Sequence, residues 1–122
     1  MTSEIKKIAE EYIKALQKGD YKFLEKNFDF KEAYEFDKEF FGQMSQTREL
    51  SLEDYEKQGK SNLKIMFKKW DKKFQIRYVK VSNDRGIAVI DAEGAKGIDH
   101  ALILSKKTGS WKIILMPTWY FE

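Results

Sequence analysis

Between residues 3 and 19 apolar side chains recur three and four positions apart: Ile5, Ile8, Ala9, Tyr12, Ile13 and Leu16. That is the spacing of one helix face, and it predicts an amphipathic helix with Ser3 as N-cap and Gly19 as stop. Asp20 then caps a second, short helix presenting Tyr21, Leu24 and Phe28. In residues 29–50, Ala33, Phe36, Phe40 and Met44 suit a helix, whereas Phe28 and Phe30 alternate as in an extended chain; a helix is expected over 31–43. Ser51 with Asp54 resembles a capping box, and Leu52, Tyr55, Gly59, Leu63, Met66 and Trp70 continue as a long helix. Gly59 inside it costs about 1 kcal/mol relative to Ala, so it marks a close packing approach or a bend.

After Trp70 the period changes from 3.6 to 2. Strands are expected at 74–82, 86–93, 97–106 and 111–121, separated by "NDRG", "EGAKG" and "KTGS", which carry the Gly, Asn and Asp chemistry of hairpin turns. Helices followed by a meander define an α+β chain. Two-residue loops at Asp84-Arg85, Ala95-Lys96 and Thr108-Gly109 set Tyr78 opposite Asp91, Asp91 opposite His100, and Leu102 opposite Leu115.

One sheet face then carries large residues, among them Phe74, Ile76, Tyr78, Ile87, Val89, Asp91, Glu93, Ile98, His100, Leu102, Leu104, Ile113 and Leu115, and is expected to lie under the helices. The other holds smaller ones such as Val79, Val81, Ala88, Ile90, Ala92, Ala101 and Ile103. An apolar face without a helix on it is an association surface, so a homodimer through the outer sheet face is expected. Helices straddling both faces are the alternative.

Composition narrows the chemistry. At 122 residues the chain fits one domain, 1–122, and 42% hydrophobic with 15% aromatic residues supports an ordered core. With no cysteine and one histidine, no metal site and no cofactor are expected, and disulfides and thiol nucleophiles drop out. No apolar run approaches the ~18 residues of a membrane span, and the amphipathic start lacks a signal architecture, so a cytoplasmic protein is expected. Residues 1–59 carry 10 basic against 14 acidic side chains and residues 60–122 carry 13 against 6, a bias that either solvates the sheet or steers a small anion towards it. "KKWDKKFQIRYVK" mixes bases with aromatics, but its alternation already accounts for Phe74, Ile76 and Tyr78 as core, and nucleic-acid binding is not expected.

The expected register puts Tyr78, Asp91 and His100 in one cross-strand row. A carboxylate beside an imidazole fixes its tautomer and raises its basicity, and a phenol can donate to a carbonyl or oxyanion, so the three form a candidate acid/base set. The bland alternative is a satisfied polar pair in the sheet. Glu93, Trp119, Trp111, Phe121 and Tyr12 are the candidate ligand-binding wall, the aromatics among them serving equally well as core.

The stretches "IAEEYIKALQKGDYKFLEKNF" and "ILSKKTGSWKIILMPTWYF", taken with the middle helix and the meander, resemble the nuclear transport factor 2-like superfamily over nearly the whole chain. The resemblance implies a cystatin-like cone, with N-terminal helices in the concave face of a curved antiparallel sheet of four or more strands. It also implies a small-molecule pocket, with ketosteroid-isomerase-like or dehydratase-like acid/base chemistry on an apolar carbonyl compound as one outcome. A non-catalytic dimerisation or interaction module with a filled cone is the other. Residues 29–50 are longer and more aromatic than the connection the resemblance implies, and would fill or lid the cavity.

Overall fold

A computed structural model of the chain describes residues 2–41, 50–66, 70–96, 100–119 and 121. The first residues expected in the third strand, with Ile98, and the end of the helix expected over 31–43, with Met44, lie outside them. Four helices, α1 (Thr2–Lys18), α2 (Tyr21–Asn27), α3 (Phe30–Phe41) and α4 (Leu52–Met66), precede four strands, β1 (Phe74–Ser82), β2 (Arg85–Ala92), β3 (Ala101–Ser105) and β4 (Lys112–Leu115). The strands form one antiparallel sheet in chain order. The fold is α+β, consistent with the nuclear transport factor 2-like resemblance.

Local chemistry sets the helix ends. Gly19 takes a left-handed φ of 72°, and the Gly19 and Asp20 amides donate to the Leu16 and Ala15 carbonyls, which closes α1. Asp20 accepts from the Phe23 amide, Asp29 from Glu32, and Ser51 from Asp54, capping α2, α3 and α4 in turn. Trp70 lies beyond α4, its amide donating to the Leu16 carbonyl.

The register differs from the expected one. The first turn is Asn83-Asp84, with Ser82 opposite Arg85 and Asn83 at φ 55°, a conformation asparagine tolerates. That turn sets Tyr78 opposite Val89 and not Asp91, and beyond Tyr78 a bulge inserts Arg77 and sets Ile76 opposite Ile90. In the next hairpin Ala88 pairs with Leu102 and Val89 with Ala101, one residue away from expectation. The last hairpin pairs Leu104 with Ile113 as expected, then slips so that Ile103, not Leu102, faces Leu115. β4 ends at Leu115, two residues before Pro117, which has no amide to donate to a ladder.

The offset exchanges the faces of β2, while Leu102, Leu104 and Ile113 stay on the covered side as expected. The side under α1 carries Gly86, Ala88, Ile90 and Ala92 from β2, together with Leu102, Leu104 and Ile113. Small residues mark the covered face because the helix lies close to it. A Cβ on Gly86 would stand 2.6 Å from Ile5 Cδ1. On the other side, Ala33 and Phe36 of α3 pack against Ile114, with Ile103 and Leu115 beside them. The helices therefore straddle the sheet. Of the residues expected on a bare outer face, Val79, Val81, Ala88 and Ile90 pack in the α1 core and Ile103 lies against α3, whereas Tyr78, expected beneath the helices, is 51% exposed. The apolar face on which a homodimer was expected is therefore covered.

Candidate functional site

Next to Tyr78, the bulge at Arg77 brings that side chain beside Asp91. Arg77 Nε and Nη2 donate to the two carboxylate oxygens of Asp91, each at 2.9 Å. His100 Nδ1 lies 2.7 Å from Asp91 Oδ1. The Ile90 amide bonds to the His100 carbonyl, which holds this residue one step beyond β3. The acid and the imidazole are thus neighbours despite the altered register, and Arg77, not Tyr78, is the third member.

Asp91 is held below the usual carboxylate range, first by its hydrogen bond to His100 and further by the bonds and charge of Arg77, with burial opposing. A carboxylate at Nδ1 makes that nitrogen the donor. His100 Nε2 is buried without a hydrogen-bond partner among the described residues, and the side chain is 13% exposed. A depressed carboxyl pKa contributes stability that is complete above the ordinary value of 3.8 and is lost as pH falls through the lower folded value. Asp91→Asn is therefore expected to be less stable than the native chain at neutral pH, with the gap closing as pH falls below about 4. Because Arg77 is 60% exposed, the gap stays below about 1 kcal/mol. Urea unfolding at a series of pH values measures it; a gap that widens towards acid would contradict the assignment.

The candidate wall residues separate. Tyr12 and Trp119 line one hollow of about 80 Å³ together with Leu16, Leu63 and Trp70. Burial raises the Tyr12 hydroxyl well above the ordinary tyrosine value, and Trp119 Nε1 donates to the Ile90 carbonyl at 3.0 Å. Phe121 packs at a tilt against Trp70, ring centroids 5.8 Å apart, next to that hollow. Trp111 is buried elsewhere, with Cζ3 near Gly86 and Ile5, and does not join Trp119 in one wall. Glu93 is exposed, beside Gln17, Asp71 and Lys73 in a polar recess.

The larger apolar space was not foreseen from the residues. A cleft of about 350 Å³ opens between α4 and the end of β4. Its floor is Ile114, Leu115 and Met116; Tyr55, Gly59 and Leu63 of α4 form one wall, and Phe28 and Phe30 at the α2–α3 junction another. Gln58, Asn62 and Thr118, all exposed, stand at its rim. Among the described residues that line it, none is charged. The Phe28 amide ends α2, and Phe28 bridges Ile113 while Asp29 N–H donates to the Ile113 carbonyl at 2.9 Å, which pins the aromatic junction to the sheet edge. Burial, with the nearby Asp37 carboxylate, pushes the Tyr55 hydroxyl up to about 12, so it is a neutral donor at physiological pH. The signal for this cleft in the sequence is the α4 stripe Tyr55, Gln58, Gly59, Asn62 and Leu63, in which two carboxamides one turn apart flank a glycine.

Tyr78, Asp91 and His100 line neither the cleft, the hollow nor the two polar recesses, one beside Glu93 and one beside Lys31 and Glu56. No cluster of three or more metal-ligating side chains occurs among the described residues. Among those residues, no helix is long and apolar enough to cross a membrane. No curated protein and no solved structure matches the chain. A family match covers residues 1–117, nearly the whole sequence, and by it the chain belongs to the family described as "Putative lumazine-binding".

Proposed function

We propose that the chain binds a small, uncharged, flat molecule in the α4–β4 cleft, of the pteridine-dione class named in the description of its family. The observation that carries this reading is the cleft itself: apolar walls, a rim of uncharged donors and acceptors, and no charged side chain among its described lining. Apolar walls favour a ring system by removing its surface from water, at about 25 cal/mol per Å². The amide side chains of Gln58 and Asn62 each offer both a donor and an acceptor, which suits an edge of carbonyls flanking an N–H. An anion would lose hydration here without a cation among the described lining to replace it, so the small anionic ligand that the charge bias allowed is disfavoured. The volume of about 350 Å³ sits near the lower end of small-molecule sites, enough for a bicyclic ring.

Acid/base catalysis by Tyr78, Asp91 and His100 would need substrate space beside them, and the cleft lies elsewhere. In this reading Arg77, Asp91 and His100 instead fasten β1 and β2 to the start of β3. Calorimetric titration of lumazine tests the proposal. Binding to the native chain is expected, with Asn62→Ala and Gln58→Ala each weakening it about three- to tenfold, the net worth of one hydrogen bond. Absence of binding at millimolar lumazine, or unchanged affinity in both variants, would overturn it.

A further inference from the structure

The cleft and the hollow have a common boundary. Leu63, Met116, Pro117 and Thr118 line both, the cleft on one side and Tyr12, Trp70 and Trp119 on the other. We infer that the two spaces are compartments of one site, and that the ligand is a ring carrying a short apolar arm, with the ring in the cleft and the arm passing the Leu63–Met116 partition into the hollow. The inference rests on the proposed ring binding and adds the second half of the ligand.

Three observations point this way. The hollow is apolar: its lining includes Leu16 and Trp70, and the one indole N–H that Trp119 could offer is already given to the Ile90 carbonyl. A polar or charged extension would find little there to replace its water. At about 80 Å³ the hollow holds about three groups the size of a water molecule, the bulk of a three-carbon arm. The partition includes Met116, half-buried and unbranched, a side chain that changes rotamer readily and can open a passage without moving the backbone.

A homologous series of lumazines bearing no arm, then methyl, ethyl, propyl and hexyl arms at one ring carbon, titrated into the native chain, tests the inference. Affinity is expected to rise about three- to fourfold per methylene through propyl, the gain from burying each group, and to stop rising by hexyl. The Trp119 indole N–H resonance should shift with the armed ligands and little with the bare ring, because Trp119 borders the hollow and not the cleft. In Leu63→Ala the rise should continue to a longer arm. Bare-ring binding with affinity indifferent to arm length would overturn this inference and leave the ring site standing. Failure of every member to bind would instead remove the ring site on which it depends.

Discussion

Gly59→Ala is expected to weaken ligand binding tenfold or more while leaving the protein folded. A Cβ at this position would stand 2.6 Å from Phe30 Cε1 and 3.0 Å from Cδ1, closer than packed atoms come. Phe30 has to move. Its ring is held on another side by Phe28, with centroids 4.7 Å apart, and both rings line the cleft, so displacement changes the shape of the proposed site. The effect on stability is smaller because two terms oppose. Alanine gains about 0.8–1 kcal/mol in helix propensity over glycine, and overpacking costs about 1–3 kcal/mol. The net is a loss of roughly 0–2 kcal/mol, which chemical denaturation separates from the binding defect. A variant that binds as the native chain does would place the ligand away from Phe30.

The largest effect on stability is expected where α1 crosses the sheet. Ile5 is fully buried, and Ile5→Ala should cost about 2–5 kcal/mol through lost contact and the cavity left behind. Gly86→Ala should cost about 1–3 kcal/mol, because its Cβ would meet Ile5 Cδ1 at 2.6 Å and Cγ1 at 3.0 Å, with Trp111 Cζ3 at 3.4 Å behind them. The two changes share one space, so they should not add. With Ile5 cut back, the methyl at position 86 occupies part of the vacated volume, and the double variant should be about 0.5–3 kcal/mol more stable than the sum of the single losses implies. Additive losses in guanidinium unfolding would mean that α1 does not sit against Gly86.

The helices and two of their N-caps were legible in the sequence because both signals are local: a 3.6-residue period, and a side chain within three residues of the amide it accepts from. Ser3, expected as an N-cap, lies inside α1, and the Asp29 cap of α3 was not expected. Asp20 and Ser51 cap as their positions suggested, and Gly59 does mark a close approach. The meander was legible from its turn chemistry. Its register was not, because Asn83 entered the turn in a left-handed conformation and Arg77 formed a bulge, and neither is encoded by alternation. The covered face was misassigned for a different reason. Leu102, Leu104 and Ile113 are core as expected, but on β2 size misleads, because the helix packed tightly on the sheet selects Gly86, Ala88 and Ala92 beneath it.

Asp91 and His100 still meet, although a one-residue offset in a regular ladder would aim them at opposite faces, because His100 precedes β3 and is not bound by its alternation. Their third partner came from the bulge and could not have been foreseen. The cleft was hidden in another way. Phe30, Gly59 and Leu115 lie far apart in the chain, and only the attachment of the α2–α3 junction to Ile113 brings them around one space.

Amide chemical-shift mapping during a lumazine titration tests the central claim most directly. The account predicts that the largest shifts cluster at Tyr55, Gly59 and Asn62 and at Ile114 to Met116, with Arg77, Asp91 and His100 little changed. Shifts centred on Arg77, Asp91 and His100 would contradict it and place the ligand beside the Asp91–His100 pair.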